Sequence, residues 1–159
     1  MNAKNFSADE LQEAIVYCHV RGVKVYLTLN TLVLDRELKA AAAEILEASR
    51  AGVDAILVQD LGICQLVRTI APDVAIHAST QMAVHNLDGV LRAAEMGISR
   101  VVLARELSYD QIAYICKNSP IEVEVFVHGA LCMCYSGQCY LSAMIGRRSG
   151  NRGQCAQPC

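Results

Sequence analysis

The 159-residue sequence predicts an α/β fold. Two observations carry this: five short runs rich in β-branched residues, and segments between them with apolar residues at helical spacing. A third is bulk composition, 53% hydrophobic and 19% charged, the balance of a chain that folds around a core. Strand and helix in alternation imply a parallel sheet joined by right-handed crossovers.

The elements follow in order. "SADELQEA" opens the first helix with a capping box, Ser7 to Glu10. "VKVYLTLN", from Val23 to Asn30, is the first predicted strand. "RELKAAAAEILEASRAG" is a helix ended by Gly52, a residue that accepts the left-handed C-cap conformation. "VDAILVQD" (Val53 to Asp60) and "VAIHAST" (Val74 to Thr80) are the next strands. "NLDGVLRAAEMG" repeats the helical pattern and ends at Gly97. "RVVLARE" (Arg100 to Glu106) and "IEVEVFVHGA" (Ile121 to Ala130) complete the strands.

The strand faces refine the class. Val123, Val125 and Val127 are expected on one side, with Glu122, Glu124, Phe126 and His128 on the other. His77, Ser79 and Gln81 likewise oppose Val74, Ile76 and Ala78. An open doubly wound sheet is apolar on both faces. One face that grows polar toward the C-terminal strand ends fits a (β/α) barrel, whose mouth carries the chemistry. A complete barrel needs eight strands and about 250 residues. The expectation is therefore a partial TIM-like barrel over residues 1–131, followed by a Cys-rich segment of the same domain over 132–159. Such a chain is expected to be a truncated piece, inactive alone and stabilised by missing segments of the same protein or by self-association.

Composition narrows the function classes. A net charge of −2 offers no global attraction for nucleic acid or an anionic membrane. No apolar run approaches the roughly twenty residues that span a bilayer. The N-terminus lacks the pattern of an export signal, so a reducing cytoplasmic setting is expected, where disulfides do not persist.

Five of the eight cysteines fall in the last 28 residues: Cys132, Cys134, Cys139, Cys155 and Cys159. Their flanks are Gly, Ser, Gln and Arg rather than core residues. Thiolates ligate zinc or iron–sulfur clusters, and the spacing is not the paired Cys-x-x-Cys of a zinc ribbon. Cys18, Cys64 and Cys116 sit in helical segments and are expected to pack in the core.

"EVFVHGALCMCYSGQCYLS", Glu124 to Ser142, resembles the signature of the collagenase-like peptidases, family thirty-two of unknown catalytic type. Glu124, Phe126, Gly129, Ala130, Leu131, Cys132, Gly137, Cys139 and Ser142 meet the pattern, and position 134 is free in it. "AKNFS", "VYLTLN", "HASTQ" and "VVLARELS" extend the resemblance over nearly the whole chain. Within the family, the tail "GRRSGNRGQCAQPC" is most similar to the branch linked to oxygen-independent hydroxylation of ribosomal RNA; other members are linked to transfer RNA, to quinone precursors, or to collagenase activity. The resemblance implies a [4Fe–4S] cluster on Cys132, Cys139 and Cys155, with Cys159 a possible fourth ligand and Cys134 a bystander.

Around these cysteines the sequence places Asn30, Gln59, Ser79, Gln81, Arg105 and Glu106 as a polar ring at strand ends, suited to a flat polar substrate such as a nucleobase. His77 shares this placement. Arg147, Arg148 and Arg152 form the one basic cluster, and Arg147 and Arg152 are expected to contact substrate phosphate or carboxylate. His128 and Glu124 are the expected acid–base groups. Three functions follow: an RNA-base hydroxylation enzyme acting on rRNA or tRNA, a thiol peptidase using Cys132 with His128, or a binding module with a structural cluster. No His-Glu-x-x-His and no Gly-x-Ser-x-Gly occurs, so zinc-peptidase and serine-hydrolase engines are excluded.

Overall fold

The computed structural model describes residues 5–129 and 132–159. It has five parallel strands alternating with helices, the α/β class read from the sequence. The chain divides into two compact units, within Ala3–Ile76 and His77–Cys159, so the cysteine segment belongs to the second unit.

In the first unit, α1 (Ala8–His19) begins at the expected capping box, with both reciprocal bonds between Ser7 and Glu10. β1 (Tyr26–Leu29) pairs in parallel with β2 (Ala55–Val58), from Tyr26 opposite Ala55 to Leu29 opposite Val58. Between them α2 (Leu38–Ala51) ends on Gly52 in the left-handed region at φ 91°. α3 (Leu61–Ile70) is capped by Asp60, whose Oδ1 accepts from the N–H groups of Gly62 and Ile63. Ile15, Ile45, Ile56, Val58, Ile63 and Val67 form the core of this unit.

β3 (Ala75–Ala78) spans the boundary. In the second unit it pairs with β4 (Arg100–Val102), His77 opposite Arg100 and Ala78 opposite Val101. β4 pairs with β5 (Glu122–Glu124) over three positions. α4 (Leu87–Glu95) starts at Asn86, and α5 (Tyr109–Asn118) at a Ser108–Gln111 capping box. Val90, Ala93, Ile98, Val101, Leu103 and Ile115 fill the core. A short α6 (Leu141–Gly146) and a 3-10 turn at Gly150–Arg152 follow the cysteine turn.

Every strand is shorter than the run that predicted it. β5 is the clearest correction. The Leu103 N–H still reaches the Glu124 carbonyl, but the ladder stops there. Val125, Phe126 and Val127 are exposed, Val127 at 92%, and the expected alternation through His128 does not occur. On β3, His77 and Ser79 alternate with Ile76 and Ala78 as expected, and all four are buried. Gln81 lies in a 3-10 turn (Thr80–Met82) and has left the strand's alternation. Cys64 is buried as expected, but Cys18 is only half-buried and Cys116 is exposed. On α5 the core position is Ile115, and the next residue turns about 100° away from it.

Candidate functional site

The strand-end residues come first. Asn30 and Gln59 each follow the last paired residues of β1 and β2, Leu29 and Val58, so they stand at the same C-terminal end of that pair. Gln59 is buried, and its Oε1 has no hydrogen-bond partner among the described residues. In the second unit Ser79 caps the 3-10 turn by accepting from the Gln81 N–H. The Gln81 Oε1 is buried and likewise without a partner among the described residues. Two orphaned amide oxygens at strand ends are the kind of group a polar ligand satisfies.

The cysteine turn is built onto the ends of β3 and β4. Gln138 N–H closes it onto the Tyr135 carbonyl at 3.1 Å. Ser136, inside the turn, is 1% exposed. Its N–H donates to Glu106 Oε1 at 2.9 Å, and its hydroxyl stands 3.3 and 3.5 Å from the two carboxylate oxygens. Arg105 Nε and Thr80 Oγ1 each reach the same hydroxyl at 3.5 Å. Gly137 has φ 74°, and a Cβ on it would collide with the Gln81 carbonyl. Only glycine meets both conditions. Arg105, Glu106, Cys132, Met133, Cys134 and Tyr135 line an open cleft of about 540 Å³.

The thiols gather around this turn. Cys132 is exposed, and Cys134 and Cys139 are half-buried. Burial pushes the Cys134 thiol up from its ordinary value; the neighbouring Cys139 and Cys132 push the same way, and a backbone hydrogen bond at Tyr135 opposes them. The pattern leaves Cys134 a bystander, and the structure adds that Cys139 is near enough to weigh on its thiol. Cys155 approaches from the tail. A Cβ placed on Gly150 would lie 3.7 Å from Cys155 Cβ and 3.8 Å from the Cys139 carbonyl oxygen. The Ser142 hydroxyl, in a residue only 3% exposed, accepts from the Ala156 N–H at 2.9 Å and ties the tail down. Gln157 N–H points at Cys155 Sγ at 3.3 Å. Cys159 is exposed at the end. The donor set suits a soft metal or an iron–sulfur cluster. Among the described residues no three such groups already converge closely enough to hold a metal ion.

The expected acid–base residues have these surroundings. Glu124 Oε2 lies 3.3 Å from Arg100 Nη1, and Glu122 binds the same guanidinium at 2.7 Å. His128 is exposed and makes no hydrogen bond to Cys132 among the described residues. His77 is 4% exposed within β3. Arg147 is the left-handed C-cap of α6 and is exposed, as is Arg152. Arg148 Nε donates to the Gln154 carbonyl. Ala130 and Leu131 of the signature lie outside the described residues. Sequence reasoning missed Thr80 and Ser136 as parts of the site. Ser142 and Gly137 stood in the signature, but Ser136 carried no signal beyond its glycine neighbour.

Known proteins bear on this geometry. Residues 1–159 match the family described as Peptidase family U32. The 23S rRNA 5-hydroxycytidine C2501 synthase of Escherichia coli (strain K12) is 42% identical over 99% of this chain and 24% of its own length. The tRNA hydroxylation protein P1 of Bacillus subtilis (strain 168) is 37% identical over 99% of this chain and 37% of its own. A collagenase of Porphyromonas gingivalis (strain ATCC BAA-308 / W83) is 38% identical over 99% of this chain and 40% of its own. The chain thus spans from about a quarter to two fifths of these relatives. The solved structure of a U32 peptidase superposes with a TM-score of 0.64 at 15% identity, covering 79% of this chain and 54% of that one, a likeness of fold. With its whole length matched and relatives above 30% identity aligned along nearly all of it, the chain belongs to peptidase family U32.

Proposed function

We propose that this chain is the cysteine-bearing part of a cytoplasmic enzyme that hydroxylates an RNA base, in rRNA or tRNA, without molecular oxygen. The observation that carries the reading is the docking of the cysteine turn onto strand ends beside an open cleft that Arg105 and Glu106 line, in a chain whose relatives include proteins named for RNA hydroxylation. Cys132, Cys139 and Cys155 would hold a [4Fe–4S] cluster, with Cys159 or the neighbouring Cys134 as a fourth thiolate. When bound, the cluster supplies a redox or Lewis-acid centre. The chain's own residues do the remaining work. Tyr135, 70% exposed at the cleft, offers a face for a base to stack on. The Arg105 guanidinium lines the same cleft and donates to base carbonyls or phosphate.

Anaerobic reconstitution with iron and sulfide is expected to give a brown protein with both near stoichiometric; stoichiometric zinc, or no metal, ends the cluster reading. Mass spectrometry of nucleosides from cells with and without the gene is expected to reveal loss of one hydroxylated base. A peptide-cleavage assay runs beside it, because the family is described as a peptidase and one relative is named a collagenase. Thiol-sensitive cleavage with RNA unchanged would replace this reading with a peptidase using Cys132 and His128. Neither activity would leave a binding module.

A further inference from the structure

We infer that the Glu106 carboxylate is a latch that shapes the Cys134–Cys139 turn before any ligand binds, making Glu106 and Ser136 positioning residues. What the turn is shaped for rests on the cluster reading proposed above; the latch does not. Around Ser136 the large side chains turn outward: Met133 is 85%, Tyr135 70% and Tyr140 63% exposed. Ser136 alone goes inward, to 1% exposure, and its hydrogen-bonding groups meet Glu106. A serine hydroxyl has one donor and two acceptor sites. Here the donor faces the Glu106 carboxylate and Arg105 Nε faces the oxygen, while the one Thr80 hydroxyl proton has the Leu103 carbonyl at 3.3 Å and Ser136 Oγ at 3.5 Å. The Ser136 amide holds Oε1, and its single hydroxyl proton reaches one carboxylate oxygen at a time, so two groups of Ser136 anchor it to Glu106.

The neighbouring residue closes the device. Gly137 presses on the Gln81 carbonyl with no room for a side chain. The pair Ser136–Gly137 is thus gripped by two connections at once, Thr80–Gln81 after β3 and Arg105–Glu106 after β4. Cys134 stands two residues before the grip and Cys139 two residues after it. Fixing the middle of this short loop removes most of the conformational freedom that ligand binding would otherwise have to remove.

The test uses the metal-free 159-residue chain. Amide hydrogen exchange over residues 134–139 and the alkylation rate of Cys139 by iodoacetamide are read by mass spectrometry. Glu106→Ala is expected to raise both about tenfold, the factor that follows from losing one charge-assisted bond to a buried amide. Glu106→Gln keeps an acceptor for the Ser136 N–H and is expected to stay within about threefold of the parent. An unchanged Glu106→Ala, or a Glu106→Gln as loose as the alanine variant, overturns the latch. Should Glu106→Ala not fold by circular dichroism, Ser136→Ala decides: it keeps the amide and loses the hydroxyl. A rise of about threefold supports the latch and no change overturns it. After loading with ferrous iron and sulfide, Glu106→Ala is expected to lose iron to a chelator about tenfold faster, with a shifted visible absorption band, and Glu106→Gln to restore both. A parent chain that takes up no iron would end the cluster reading, while exchange and alkylation on the metal-free protein still decide the latch.

Discussion

Gly137 concentrates the structural demand of the cysteine turn in one residue. Its φ of 74° lies where side chains are strained, and its Cα faces the Gln81 backbone, which has no rotamer with which to move aside. Gly150 is the contrast within the same segment. Its φ is not in the left-handed region, and its nearest neighbours are at ordinary contact distance, so it tolerates a methyl group. Gly137→Ala is expected to destabilise the chain by about 2 kcal/mol or more and to expose Cys134 and Cys139 to alkylation. Gly150→Ala should lie within about 0.5 kcal/mol of the parent. Thermal melts of the two variants side by side check this, and equal melting temperatures would remove the argument from close approach.

At the scale of elements, the acidic residues at β2's two ends tie the first unit together. Asp54 Oδ2 accepts from the Val25 N–H at 2.7 Å and from His19 Nε2 at 2.9 Å, joining the start of β1 and the end of α1 to the turn before β2. Asp60 does the same beyond β2, capping α3 with one oxygen and accepting from the Val33 N–H with the other. The Asp54 side chain is 28% exposed, so solvent screening discounts its bonds. Asp54→Ala is expected to cost roughly 1–2 kcal/mol at neutral pH. The Val25 amide, then the His19 bond, hold the Asp54 carboxyl below its ordinary range. A lowered folded value means that the native state favours the carboxylate. Its contribution is therefore complete above the unfolded pKa, about 3.9, and is lost as pH falls through the folded value. Urea denaturation of parent and variant should give a gap that is constant from pH 5 to 7 and closes below about pH 4. A gap that persists unchanged to pH 2 would assign the loss to packing instead.

For the whole molecule, the relevant surface is apolar and outward. Phe126 is 60%, Val127 92%, Met144 83% and Ile145 69% exposed. Among the described residues β5 pairs with β4 on one side only. An open strand edge and exposed apolar side chains each invite association. The isolated 159-residue chain is expected to self-associate with rising concentration in analytical ultracentrifugation, and to be inactive in RNA hydroxylation on its own. A stable monomer that retains iron and turns over substrate would refute this. Among the described residues no helix is long and apolar enough to cross a membrane.

The sequence by itself determined what is local in the chain. The Ser7–Glu10 capping box, the left-handed Gly52 and the alternation of helix and strand depend on contacts within a few residues. The signature from Glu124 to Ser142 located the cysteine segment by pattern alone. Tertiary structure decided how far each strand runs, because a strand lasts only as long as its partner: β5 ends at Glu124 although β-branched residues continue to Val127. It also decided the roles of polar residues. Glu124 and Glu106 look alike in sequence, yet one answers Arg100 from the neighbouring strand and the other a serine amide 30 residues away. Ser136 carries no local mark of its importance. Its burial follows from a turn docking onto two strand ends, and a hydrogen bond across such a distance exists only once the sheet has brought its partners together.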